Sequence, residues 1–419
     1  MIVSISILLL IVPLAPSRLL AGTVPCPNAA VANVGFLANL IIPSAFACPG
    51  TPHAAIFING NSGFTAANGV TAGSGTDNDP YIISGWSINS TSTGVCVDVR
   101  NTSAYFDLRS DFVNCFGYGY TGVLFSGVSN AKLESSTVSG GGYGLRVVSS
   151  TNVVLSANTF NGGSYSAVAI SGTTILSVLE NSIIGGSGGG ISISGCKHVT
   201  YSGNNDRSYY GSSFSNSSDV TISNNTESAS YIEGVVLIER STNFTVSSNT
   251  VRGSISYAIW FRNSNNSIIS NNQVTGGGVN GYSNFDQGIV LESSNNVQVF
   301  ENNVTLEAIG IHLSSSTGNR FYHNNMINNT IQAEDDQPGQ NSWDNGYPSG
   351  GNYWSDYKGV DSCSGPSQSV CPSSDGMGDA PYTFNSGLDN YPLMTLFIPD
   401  PPAAGGGGGV GGGRAPLRK

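Results

Sequence analysis

Through the middle of the chain, apolar residues recur two apart in short runs, and the runs end on one phrase, apolar-x-x-Asn-x-apolar. Copies are LSANTF (Asn158), VLENSI (Asn181), VSSNTV (Asn249), ISNNQV (Asn272), VFENNV (Asn302) and FYHNNM (Asn324), with Asp111, Ser136, Asn204 and Asn225 at the same phase in weaker copies. Successive spacings are 25, 22, 23, 23, 21, 24, 23, 30 and 22 residues. Period two within the runs is the signature of half-buried strands. A repeat of this length is a unit that cannot bury its apolar side alone and must stack on its neighbours. Stacked strands lie roughly 4.8 Å apart, so equivalent Asn side chains hydrogen-bond along the stack as a ladder. The predicted fold is all-β: a right-handed parallel β-helix of about ten rungs with N- and C-terminal caps. Asn is expected to serve twice, as the left-handed turn residue and as the ladder.

The ladder phases the strands. Eleven residues before each ladder position stands an apolar residue: Phe125, Val147, Ile170, Ile193, Phe214, Ile238, Phe261, Leu291 and Leu313. Two residues earlier come Val123, Leu145, Val168, Ile191, Val236, Ile259, Ile289 and Ile311, with Ser212 the exception. These positions point inward. The intervening outward column reads Ser126, Val148, Ser171, Ser194, Ser215, Glu239, Arg262, Glu292 and Ser314, and two positions earlier on that face stand Leu237, Trp260, Val290 and His312.

The expected organisation is a signal peptide over 1–22, an N-terminal segment over 23–54, a cap and first turn over 55–94, repeats over 95–338, a C-terminal cap over 339–398, and a Pro/Gly-rich linker with a short basic tail over 399–419. The leader carries an apolar run from Ile2 to Leu14, too short to span a bilayer comfortably. No integral membrane segment is expected in the mature chain, and the predicted location is secreted or cell-surface. Charge adds an exclusion: 26 acids stand against 15 bases, and no basic stripe appears, so a nucleic-acid partner is not expected. Seven Cys suit an oxidising compartment, with Cys26/Cys48 and Cys363/Cys371 the local pairs. Eight sequons, among them Asn89 and Asn216, suit an exported glycoprotein.

The repeat, the stretch NGVTAGSGTDNDPYIISGWSIN (Asn68 to Asn89), the following NTSAYFDLRS and the late SGGNYWSDY, DGMGDAPYTF and DNYPLM together resemble the exported NosD-like β-helix proteins. These carry repeats of the carbohydrate-binding and sugar-hydrolysis type and are frequent on archaeal cell surfaces. The resemblance spans roughly residues 55 to 395. It implies the fold, and by the family's name a periplasmic copper-binding accessory role in nitrous oxide reductase maturation, but many look-alikes share the scaffold only.

Three chemistries follow from the residues. In a sugar site, Trp260 or Tyr282 stacks on a pyranose, with Arg262, Glu292 and His312 beside it. Glu239 and Glu292, two rungs or roughly 9.6 Å apart, are the candidate carboxylates of a polysaccharide hydrolase or lyase. Inverting glycosidases hold theirs about 6.5 to 9.5 Å apart. Arg262 between them lowers both pKa values, which opposes a general acid. A Glu/Arg/Glu surface ladder is the simpler reading, so the leading expectation is a non-catalytic protein that binds a polysaccharide, a surface glycan or other surface proteins. Calcium is the candidate cofactor, at Asp361, Asp375 and Asp379 among tight-turn glycines. Copper belongs to the NosD-like alternative, although the four His show no paired spacing. Finally, Trp343, Tyr347, Tyr353, Trp354 and Tyr357 fall where the coils stop and are expected to cover the open end of the core.

Overall fold

The computed structural model describes residues 50–228, 236–252, 256–276 and 286–399. The leader, Cys26, Cys48, Tyr282 and the basic tail lie outside them. The described residues fall within the unit Pro49–Lys419, and the unit Met1–Cys48 lies outside the description.

The chain winds as a parallel β-solenoid of about ten turns. Each turn supplies a strand to each of three sheets. One turn runs from Tyr143–Val148 (sheet B) through Thr151–Ser156 (sheet C) to Thr159–Asn161 (sheet A). The next sheet B strand, Ser166–Ser171, pairs in parallel on the first with Leu145 opposite Val168 and Val147 opposite Ile170. Sheet A has thirteen strands, from Thr51–His53 to Tyr353–Trp354. Parallel pairing starts ahead of the segment expected as an N-terminal cap, because Thr51–His53, within the expected 23–54 segment, already pairs with Trp86–Ile88. Among the described residues no helix is long and apolar enough to cross a membrane.

Inward positions are filled as the phasing predicts: Val147, Ile193, Phe214, Phe261 and Leu291 are all fully buried. The Asn ladder forms, but the left-handed residue is not the Asn. Positive φ belongs to the preceding residue: Ala157, Glu180, Asn224, Ser248, Asn271, Glu301 and His323. The reason is geometric. The residue before turns the corner, which leaves the Asn side chain free to point inward, where its amide donates to the carbonyl of the preceding turn and to the next Asn. For Asn158 these are Leu133 O at 2.8 Å and Asn181 Oδ1 at 3.0 Å. A second corner repeats the device with hydroxyls. Ser150, Thr173, Cys196, Ser217, Ser241, Ser264, Ser294 and Ser316 stand eight residues before successive Asn. The backbone N–H of Cys196, Ser217 and Ser241 donates to Ser217, Ser241 and Ser264 Oγ at 3.1, 3.2 and 3.1 Å.

The ladder does not stop at Asn324. Asn352, inside the aromatic segment, accepts from Asn324 N at 3.1 Å and Nδ2 at 2.9 Å, and its own N–H donates to the buried carboxylate of Asp389 at 2.7 Å. Trp343 stacks on the core residue Phe321 with centroids 4.2 Å apart, Trp354 stacks on Tyr382 at 4.5 Å, and Trp354 Nε1 donates to Asp389. Tyr353 and Trp354 also form the last strand of sheet A, on Asn325 and Met326. Tyr357 donates its hydroxyl to Ala380 O, and Tyr347 is the exposed member, near Tyr391. Two disulfides close local loops, Cys363–Cys371 and the buried Cys96–Cys115, while Cys196 is a free thiol inside the hydroxyl ladder.

Candidate functional site

Sheet B presents the decorated face. Its register places Glu239 opposite Arg262 and Arg262 opposite Glu292, with Leu237, Trp260, Val290 and His312 in the adjacent column. Both carboxylates reach the same guanidinium: Arg262 Nη1 lies 3.8 Å from Glu239 Oε1 and Arg262 Nε 3.7 Å from Glu292 Oε1. Arg240 adds a second cation 3.1 Å from Glu239. Both carboxylates are thus ion-pair partners of one guanidinium. The half-buried Trp260 packs on Tyr257 at 4.5 Å beneath the Arg262 guanidinium at 5.6 Å, and its buried indole N–H has no hydrogen-bond partner. His312 Nδ1 lies 2.7 Å from Gln287 Oε1, and its Nε2 lies 3.9 Å from Glu334. Trp260, Arg262, Glu292 and His312 thus share one face; Tyr282 lies outside the described residues.

A concave part of this face lies N-terminal to that ladder. Over three consecutive turns the outward column next to the serines reads Ala169, Ser192 and Ser213, and its outer neighbours are Ser171, Ser194 and Ser215. Bulk resumes on both sides, with Tyr143, Arg146 and Val148 one turn before and Leu237 and Glu239 one turn after. Small side chains between large ones leave a trough on an otherwise continuous sheet, roughly 19 Å between its walls at four rung spacings. Two hollows occupy it, of 140 Å³ between Tyr143 and Ser194 and of 180 Å³ between Ser166 and Leu237, and they share Ser192. Along the rim, Tyr165 stacks on Tyr143 at 5.0 Å and Tyr210 lines the second hollow. Ser215 Oγ donates to Ser194 Oγ at 3.0 Å, so hydroxyls line the floor's edge.

A third hollow, of 240 Å³, lies at the C-terminal cap beside Trp343. Its carboxylates are occupied in holding the cap: Asp335 accepts from Asn341 Nδ2, Gln337 N and Trp343 Nε1, and Asp344 from Gly346 N and Asn390.

The residues expected to bind metal do not converge. Asp361 accepts from Asp375 N and Gly376 N, Asp375 from Met377 N and Gln368 Nε2, and Asp379 from Ser362 N and Cys363 N. Their oxygens accept from turn N–H groups and hold the loop together. The imidazoles are engaged as well. His323 donates from Nε2 to Ser349 O and stacks on Phe397, His312 is held by Gln287, and His53 packs on Trp86. Among the described residues no three His, Cys, Asp or Glu side chains stand together as a metal-binding group.

Several acids are instead buried inside the coil. Asp206 and Glu227 occupy inward positions on consecutive turns, bridged by the Ser212 hydroxyl at 3.4 and 2.8 Å under Tyr201. Ser212 is the one polar residue in the inward column, and these acids explain it. Burial pushes the Asp206 carboxyl up to about 6 and holds Glu227 well above its ordinary value. Burial, reinforced by Asp286, pushes Glu307 up to about 8.

Comparisons with known proteins agree with the coil. Residues 54–226 match the family model described as right handed beta helix region, and residues 190–359 match that described as periplasmic copper-binding protein (NosD). No curated protein sequence matches the chain. Among solved structures, the Dettilon tailspike protein (gp208) is 15% identical with a TM-score of 0.48, over 62% of this chain and 58% of the tailspike. DFA-IIIase from Arthrobacter chlorophenolicus A6, in complex with GF2, is 13% identical with a TM-score of 0.49, over 60% of this chain and 72% of that one. The A-module of the mannuronan C-5 epimerase AlgE6 of Azotobacter vinelandii is 15% identical with a TM-score of 0.46, over 62% and 79%. The repeat, the register of the three sheets and the right handed beta helix match converge on one fold: the chain is a parallel β-helix, and its residues 190–359 are similar to the periplasmic copper-binding protein (NosD) family.

Proposed function

We propose that this is an extracytoplasmic, non-catalytic β-helix protein that binds a glycan along its side, in the trough on sheet B. The supporting observation is the trough itself: three turns of Ala, Ser and Gly positions between aromatic and charged walls, with hydroxyls along the floor. Sugar sites combine apolar faces for pyranose rings with a few placed polar groups, and the stacked Tyr143 and Tyr165 beside Ser192 and Ser194 supply both. A glycosidase needs one carboxyl that keeps its proton and another that does not. Glu239 and Glu292 are both fixed as partners of Arg262, so the ladder reads as the trough's wall. The NosD match brings copper to mind for this chain, but the dispersed imidazoles and satisfied carboxylates described above favour the glycan reading.

Full-length protein applied to an array of neutral and acidic oligosaccharides is expected to bind a subset of them. Tyr143→Ala is expected to weaken that binding about tenfold, in line with the loss of one aromatic contact, with an unchanged far-ultraviolet circular dichroism spectrum. Binding of Cu(I) or Cu(II) with no glycan retained would replace this reading with the copper one.

A further inference from the structure

The arginines that point outward from sheet B follow a pattern. Arg100 is held by Asp98 in its own strand, with Nε 2.6 Å from Oδ1, and Arg262 lies between Glu239 and Glu292. Arg146 breaks it. It lies at the N-terminal wall of the trough, it is exposed, and no carboxylate among the described residues pairs with it. Its guanidinium instead lies 5.1 Å from the centroid of the Tyr143 ring, which is itself stacked on Tyr165. The stack holds the cation at the lip of the 140 Å³ hollow, whose floor of Ala169, Ser171, Ser192 and Ser194 carries no charge. In a chain with 26 acids and 15 bases, an arginine with no carboxylate partner at the end of this trough is, among the residues lining its two hollows, the strong anion donor. A guanidinium donates two parallel hydrogen bonds to a carboxylate or sulfate, and an aromatic face beneath it orients the fork.

We infer that the trough takes an acidic glycan, with an anionic substituent of one pyranose on Arg146, the ring of that sugar against Tyr143 and Tyr165, and neighbouring hydroxyls on the Ser192–Ser194 floor. The inference rests on the glycan reading of the trough and adds the class of sugar. A carboxylate and a sulfate ester present the same chemistry to the guanidinium, so the test separates them.

Titration calorimetry of the full chain with an oligogalacturonide, its carboxyl-reduced neutral counterpart and a sulfated neutral oligosaccharide decides the matter. At least one acidic probe is expected to bind about tenfold or more tighter than the neutral one, as a charge-assisted pair provides, and the better probe identifies the substituent. Arg146→Gln is expected to remove that difference with the thermal melting profile unchanged. Equal affinity for neutral and acidic probes, or an Arg146→Gln variant that still discriminates, overturns the inference and leaves the glycan reading standing. Failure of every probe and of a wider array would bring down the glycan reading itself.

Discussion

Asn249→Ala is expected to destabilise the coil by about 3 kcal/mol or more, a large effect for a change of one small side chain. Asn249 Oδ1 accepts from Asn225 N at 3.0 Å and from Asn225 Nδ2 at 2.9 Å, while its own Nδ2 donates to Ile222 O and to Asn272 Oδ1, both at 3.0 Å. The residue is fully buried. Alanine leaves a backbone N–H, a carbonyl and two neighbouring amides short of a partner where no bulk water reaches, and each such group costs about 1 to 3 kcal/mol. Coils couple only to their neighbours, so the defect is expected to cut the solenoid's cooperativity as well as its midpoint. Guanidinium unfolding followed by circular dichroism checks both, with the exposed Gln298→Ala as a substitution expected to change stability by under about 0.5 kcal/mol. An Asn249→Ala midpoint equal to that of Gln298→Ala would show that the ladder contributes nothing.

The second large effect is a stability that falls as pH rises. Burial pushes the carboxyls of Asp206 up to about 6, Asp111 and Asp389 up to about 7 and Glu307 up to about 8. In the unfolded chain these groups titrate near 4. Between roughly pH 4 and pH 8 the folded state therefore holds protons that the unfolded state has released, and stability must fall as pH rises through that window. Each unit of displacement corresponds to about 1.4 kcal/mol, so several buried acids together amount to several kcal/mol. The melting temperature is expected to be higher at pH 5 than at pH 8 by on the order of 5–10 °C. Glu307 offers the cleanest test, since neither of its buried oxygens has a hydrogen-bond partner. Glu307→Gln keeps the shape without the charge and is expected to raise the melting temperature at pH 8 while changing it little at pH 5. A wild-type protein more stable at pH 8 than at pH 5 would contradict the account.

The sequence was informative wherever a position repeats and uninformative wherever function depends on a break in the repeat. Asn at a constant phase revealed the ladder, and the ladder located the inward column from Phe125 to Leu313. The hydroxyl ladder was equally regular, eight residues before each Asn, but Ser is so common here that Ser217 or Ser241 does not stand out without the register. Asn352 was hidden by a 28-residue step into an aromatic segment. The trough was harder still. It is made of what is missing at Ala169, Ser192 and Ser213, and only the lateral pairing of strands shows that three small residues lie side by side between Arg146 and Leu237. Charged residues drew attention to Glu239 and Glu292 instead, which the structure pairs through Arg262. Cys96 on a strand of sheet B and Cys115 on a strand of sheet A are nineteen residues apart, a partnership that only the coil's geometry reveals.

Filling the trough tests the central claim most directly. Ser192→Trp places an indole in the space shared by both hollows, whereas Thr200→Trp places the same group on the outer face of sheet C, at an exposed position on the next strand around the coil. Affinity for the best-bound glycan is expected to fall at least about tenfold in Ser192→Trp and to remain at the wild-type value in Thr200→Trp, with both variants folded by circular dichroism. Undiminished binding by Ser192→Trp would show that the glycan site lies elsewhere on the coil.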